Sequence, residues 1–149
     1  MFVLLVPLFV NVKGTSYSDY QLYKVPSGVS DEYFLIENRA ANGYDLGLYT
    51  LLPVGTFTGG ISILHIDDNQ PDNKDETHKL VDVEEANNAG LDNETDRGHV
   101  NNLFFSNNST EFTPSTTPNS DRYNGSSSSV SITNVSATGA TMTFDLDVN

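Results

Sequence analysis

The chain has 149 residues, 37% of them apolar, and 20 acidic against 7 basic side chains for a formal charge of -13; a chain this long buries roughly two thirds of its unfolded surface, and with an apolar share below the usual ~45–50% it is expected to form one modest core with generous loops. The acidity, with a pI near 4.2, makes phosphate backbones and anionic lipid headgroups poor partners, so neither nucleic acid nor a membrane surface is expected. No cysteine occurs, which excludes disulfides, thiolate metal sites and cysteine nucleophiles and leaves bound calcium as a source of rigidity for a secreted domain.

Residues 1–10, MFVLLVPLFV, open the chain with an apolar run too short to span a bilayer. It lacks a basic flank and a small-residue cleavage site, so it reads as a core or edge strand over 1–12, or the boundary of a fragment; a degenerate export signal is the other reading. Further strands are expected over 20–25, 32–38 and 60–66, where short apolar or alternating runs are separated by turn residues. Tyr33, Phe34, Leu35 and Ile36 show no polar alternation, the pattern of a central strand covered on both faces, and the run from Ile61 to Ile66 is similar. Between these two strands, Asn42-Gly43 marks a turn, and Glu37 and Arg39 are placed to pair at the strand edge.

The densest acidic stretch, DDNQPDNKDE from Asp67 to Glu76, follows the second of these strands. Calcium takes six to eight oxygens, and Asp67, Asp68, Asn69, Asp72, Asn73 and Asp75 are the candidate ligands; a solvated acidic loop is the alternative, because the spacing does not match an EF-hand. Glu84, Glu85, Asp92, Glu94 and Asp96 add oxygen donors nearby in sequence. Residues 78–89 carry Leu80, Val83 and Ala86 at three-residue steps, which suggests one short helix against the β preference of Val81 and Val83. From 92 to 129 the chain is rich in Asn, Ser and Thr, and the tetrad 126–129 is expected to pack with nothing. Residues 129–135 and 141–148 alternate as a pair of strands, with SATGA at 136–140 as their hairpin turn. The fold expected is therefore a single mainly β domain over 1–149, an antiparallel sheet or sandwich with long polar loops and at most one short helix.

Catalytic signatures are sparse. Zinc hydrolysis requires two histidines four apart on a helix with a glutamate beside the first, and His65, His78 and His99 do not supply that pattern; a structural role is expected for each. No nucleophile elbow is present. The triplets Asn93-Glu94-Thr95 and Asn134-Val135-Ser136 match a glycosylation acceptor only as expected by chance in an Asn/Ser/Thr-rich chain.

Four segments in order, EYFLIENR with GYDLGL, GGISILHIDD, HKLVDVEEAN, and TTPNSDRYNG followed by VSITNVSATGATMTFDL, resemble the region downstream of the zinc-binding helix in secreted metallopeptidases of the immune inhibitor A type. The resemblance covers roughly residues 31–148. It implies a secreted, calcium-binding β subdomain that completes the cleft of a zinc metallopeptidase, with an upstream catalytic subdomain and a protein or peptide substrate as partners. The zinc ligands and general base would lie outside this chain, so zinc belongs to the full-length enzyme and the chain alone is expected to be inactive. The chain departs from the family at Gly98 to Phe104, where His99 and Asn102 stand in place of carboxylates, so a cation site built on that stretch is expected to be weakened or lost. A second reading, a non-enzymatic extracellular β-sandwich that binds carbohydrate or a cell-surface partner through calcium and exposed Tyr17, Tyr20, Tyr23 and Tyr123, fits the composition equally well.

Overall fold

The computed structural model describes residues 8–14, 19–51, 57–87, 90–92, 95 and 98–149. Among them seven strands form two antiparallel sheets. In chain order these are β1 (Leu8–Lys13), β2 (Leu22–Pro26), β3 (Glu32–Arg39), a 3-10 turn at Gly43–Asp45 leading into the short helix α1 (Leu46–Leu51), β4 (Gly60–Asp67), β5 (Val81–Val83), a 3-10 turn at Val100–Asn102, β6 (Val130–Thr133) and β7 (Thr141–Val148). One sheet has the order β1-β7-β6 and the other β2-β3-β4-β5.

Alternation builds the core. On β1 Val10 and Val12 are buried, and they lie opposite Phe144 and Met142 of β7; on β3 Phe34 and Ile36 are buried, opposite His65 and Ile63 of β4. The inward residues of both sheets join in one apolar cluster with Phe104 and Phe112. Phe112 meets Phe34 edge-on at 5.3 Å and Phe104 at 5.9 Å, the arrangement ring quadrupoles favour. The loop carrying these two rings also stitches the sheets together, because Phe104 bridges to Ile61 of β4 and Phe112 to Ile132 of β6. At the far end the buried amide of Asn38 donates to the carbonyls of Val12 and Gly139, at 3.1 and 3.0 Å, tying β3 to the three-stranded sheet.

The mainly β architecture and the 141–148 strand agree with the sequence reading, and the β6–β7 pairing forms as expected. Three expectations are corrected. The proposed helix at 78–89 is the edge strand β5, whose Val81 and Val83 pair with Ile66 and Leu64; an open sheet edge beside two β-branched residues outweighs a weak helical period, and residues 88 and 89 lie outside the described residues. The short helix is instead α1. Tyr33 and Leu35 are half-buried while Phe34 and Ile36 are fully buried, so β3 turns only one face to the core; β4 is the strand covered on both sides. The serine tetrad is also built into the structure: Ser128 is buried and its hydroxyl accepts from the Val130 amide at 3.0 Å. Of the strand expected over 1–12, residues 8–12 lie within β1 and the part before Leu8 lies outside the described residues.

Candidate functional site

Antiparallel pairing gives the inner face of the four-stranded sheet an apolar half and a polar half. Running along β3, Asn38, Ile36, Phe34 and Glu32 share the buried face, and their partners on β4 are Ile61, Ile63, His65 and Asp67. β5 then sets Asp82 opposite His65. Carboxylates and an imidazole therefore continue the surface that Phe34 and Ile36 begin.

His65 is the centre of this end. It is 3% exposed, touches the Phe34 ring at 4.5 Å, and has a carboxylate on each ring nitrogen: Glu32 Oε1 at 2.9 Å from Nε2 and Glu84 Oε1 at 3.1 Å from Nδ1. Both ring nitrogens are thus engaged, and His65 links Glu32 to Glu84 in one hydrogen-bonded unit. Burying charge is costly unless it is paired and hydrogen-bonded, and Glu32 gains a further donor in the Tyr123 amide at 2.8 Å.

Tyr123 arrives on a tight turn. The Gly125 amide donates to the Arg122 carbonyl at 2.8 Å with Gly125 at φ +77, and the Arg122 guanidinium donates to the Ser27 carbonyl in the turn between β2 and β3. Ser27 and its neighbour Gly28, at φ +91, lie against this guanidinium, and a Cβ on Gly28 would strike it. So anchored, the Tyr123 ring is sandwiched between two imidazoles: His65 at 4.3 Å and 13° from parallel, and His78 at 4.1 Å and 27°. Its hydroxyl reaches Asp82 at 3.5 Å, and burial, then the charges of Asp82 and Glu84, raise it above the ordinary phenol value. Burial also pushes Asp82 up to about 6, helped by the charges of Asp92 and Glu84 and opposed by Lys79.

The residues proposed as calcium ligands are distributed otherwise. Asp67 is buried; Oδ1 accepts from the Asn69 amide and side chain at 2.9 and 3.1 Å, and Oδ2 is 2.7 Å from His78 Nε2. Burial pushes its carboxyl up, but these hydrogen bonds outweigh it and hold the group below its usual value. Asp68 accepts from the Tyr33 hydroxyl at 3.3 Å. Asp72 accepts from the amide and ammonium of Lys74, and Asp75 from the amide and hydroxyl of Thr77, each within two residues. Asn73 pairs with both backbone groups of Val81. This is the chemistry of Asx turns, in which each short side chain folds back on its own backbone. Among the described residues no group of three or more acidic or histidine side chains is arranged to hold a metal ion, and each of the six is engaged by a neighbouring donor or turn.

The remaining candidates also have local roles. His99 accepts from the Asn101 amide at 3.1 Å while Asn102 closes a capping box on the His99 amide. Asn102 then carries the Ala86 amide on its carbonyl at 3.0 Å. Arg39 bridges Glu37 at 3.1 Å and the buried Asp45 at 2.7 Å. Of the four tyrosines, Tyr20 is exposed, Tyr23 donates to the Asn11 carbonyl, Tyr123 is enclosed in the stack, and Tyr17 lies outside the described residues.

Sequence reasoning named His65, His78, Tyr123, Asp67 and Glu84 separately and missed that they converge. One signal was available for Glu32: it stands in phase with Phe34 and Ile36, so an acid on the buried face of β3 required an internal partner. His65 likewise interrupts an otherwise apolar strand. Comparison with protein-family models, with curated proteins and with solved structures gave no match.

Proposed function

We propose that this chain is the non-catalytic β portion of a secreted zinc metallopeptidase of the immune inhibitor A type, in which the polar joint around His65 braces the part of the enzyme that shapes the substrate cleft. One observation carries the reading. The segments on which the resemblance rests are scattered along the sequence, and each sends a side chain to the same joint: Glu32 from EYFLIENR, His65 and Asp67 from GGISILHIDD, His78, Asp82 and Glu84 from HKLVDVEEAN, and Tyr123 from TTPNSDRYNG.

The joint supplies support and no turnover. Its central imidazole is buried with both nitrogens taken, which leaves it no position from which to exchange a proton with a substrate. Hydrolysis is assigned to zinc ligands and a general base on an upstream catalytic subdomain, acting on protein or peptide substrates outside the cell. Calcium is not part of the proposal, because the acidic residues are already engaged by protein donors.

Purified chain incubated with casein, with and without added zinc, is expected to show no cleavage and no stoichiometric zinc uptake. Zinc-dependent cleavage by the isolated chain would sink the assignment of a supporting role.

A further inference from the structure

We infer that the acidic segments carrying Glu76, Asp82 and Asp92 are fastened by the protein's own cation, the ammonium of Lys79, in place of a bound calcium ion. The inference rests on the side-chain arrangement alone and stands whether or not the chain belongs to a peptidase.

Among the described residues Lys79 is the one lysine or arginine that is buried, its side chain 11% exposed, and its ammonium meets three carboxylates: Glu76 at 3.2 Å, Asp82 at 3.3 Å, and Asp92. An ammonium has three hydrogens and no acceptor, so three carboxylates satisfy it completely. The three come from different pieces of backbone. Glu76 lies in the loop after β4, Asp82 on β5 and Asp92 in the loop beyond it. Cross-linking separate loops through their carboxylates is the structural work of a bound calcium ion, and the ammonium does it here with a charge that is part of the chain.

The neighbouring groups agree. Burial pushes the Lys79 amine down, but the hydrogen bonds to Asp92 and Glu76 and the charges of Asp82 and Asp92 outweigh it and hold the ammonium above its ordinary value. Asp82, on the inner side, passes the link to Tyr123 through its other oxygen. Asp67, at the end of β4, is closed by His78 and Asn69, and Glu85 by the amides of Gly90 and Leu91. For calcium to gather Glu76, Asp82 and Asp92, it would have to displace the ammonium that already lies between them.

The test is a thermal melt of the whole chain in chelator and in millimolar calcium, for wild type and for Lys79→Met, which keeps an apolar stem and removes the charge. Wild type is expected to melt at the same temperature in both, since a ligand with no native site gives no mass-action stabilisation. Lys79→Met is expected to melt lower in chelator by a few degrees, because Glu76 and Asp92 are half-exposed and only Asp82 is largely buried, and to recover part of that loss in calcium, which can then enter the vacated carboxylates. A calcium-dependent rise in wild type overturns the inference without any variant. So does a Lys79→Met chain as stable as wild type, or one whose loss calcium does not relieve. If Lys79→Met does not fold, Asp92→Asn takes its place: a lower melt with no calcium response agrees with the cage, and an unchanged melt contradicts it.

Discussion

The ring of Tyr123 lies on the ring of His65, centroids 4.3 Å apart and planes 13° from parallel, and the same residue's backbone amide holds the carboxylate of Glu32, which itself binds His65. One residue in a polar loop thus covers the imidazole by its side chain and fixes that imidazole's partner by its main chain. The two functions separate by mutation. Tyr123→Phe keeps the stack and the amide and loses only a 3.5 Å contact to Asp82, so it is expected to cost under about 1 kcal/mol. Tyr123→Ala uncovers His65 and His78 and is expected to cost about 2–4 kcal/mol, the range for truncating a large aromatic that is partly buried. Urea midpoints for the two variants check the difference; equal costs would show that the ring contributes nothing.

His65→Leu leaves Glu32 and Glu84 facing an apolar side chain with no counter-charge. Removing one partner of a buried ionic cluster typically costs about 3–5 kcal/mol, and the same range is expected here. Urea denaturation reads this out, and a cost below about 1 kcal/mol contradicts a clamp in which His65 holds both carboxylates.

Asp82 gives a pH signature of opposite sense to the usual carboxylate. Burial, then Asp92 and Glu84, raise it to about 6 in the folded chain, above its unfolded value near 3.9. A group with a raised folded value contributes stability that is fully present below the unfolded value and is lost as pH rises through the folded one. Asp67 is lowered, so its contribution is present above its unfolded value and is lost only in stronger acid. Asp82→Asn removes this titration. Its stability relative to wild type is expected to improve steadily from pH 4 to pH 7, measured as the difference in melting temperature; a difference that does not vary with pH contradicts the assignment.

Gly28 sits at φ +91 with the Arg122 guanidinium against the position its Cβ would take. Alanine there must bear both a left-handed backbone and the displacement of the group that holds the Tyr123 turn to Ser27. A cost of about 1–3 kcal/mol is expected, with a loss of the near-ultraviolet circular dichroism of the stacked Tyr123. Alanine tolerated with an unchanged aromatic signal would show that the Arg122 anchor is dispensable.

The sheets were legible wherever two residues of alternation sufficed. β7 could be read directly from Met142, Phe144, Leu146 and Val148, and β3 from its boundaries at Glu32 and a turn after Arg39. What could not be read was pairing across long intervals. The β preference of Val81 and Val83 covers only three residues and becomes decisive once the edge of β4 is beside them, so a three-residue helical period misled. The acidic loop was ambiguous because the same Asp and Asn spacing that suits a hard cation also makes Asx turns; only the positions of Lys74, Thr77, His78 and the Val81 backbone decide which partner each oxygen takes. The polar joint was half legible. A glutamate in phase with buried Phe34 and Ile36 demands a partner, but that the partner is His65, and that Tyr123 covers it, depends on a turn in a Ser/Asn-rich loop.

Whether the chain works as part of a zinc peptidase is read out by a casein zymogram of the source organism's culture medium, probed in parallel with antibody raised against this chain. The expected result is that the antigen migrates above the chain's own 16.3 kDa and coincides with a cleared band that a zinc chelator abolishes. Antigen found only at that mass, away from any chelator-sensitive clearing, would contradict the proposed function.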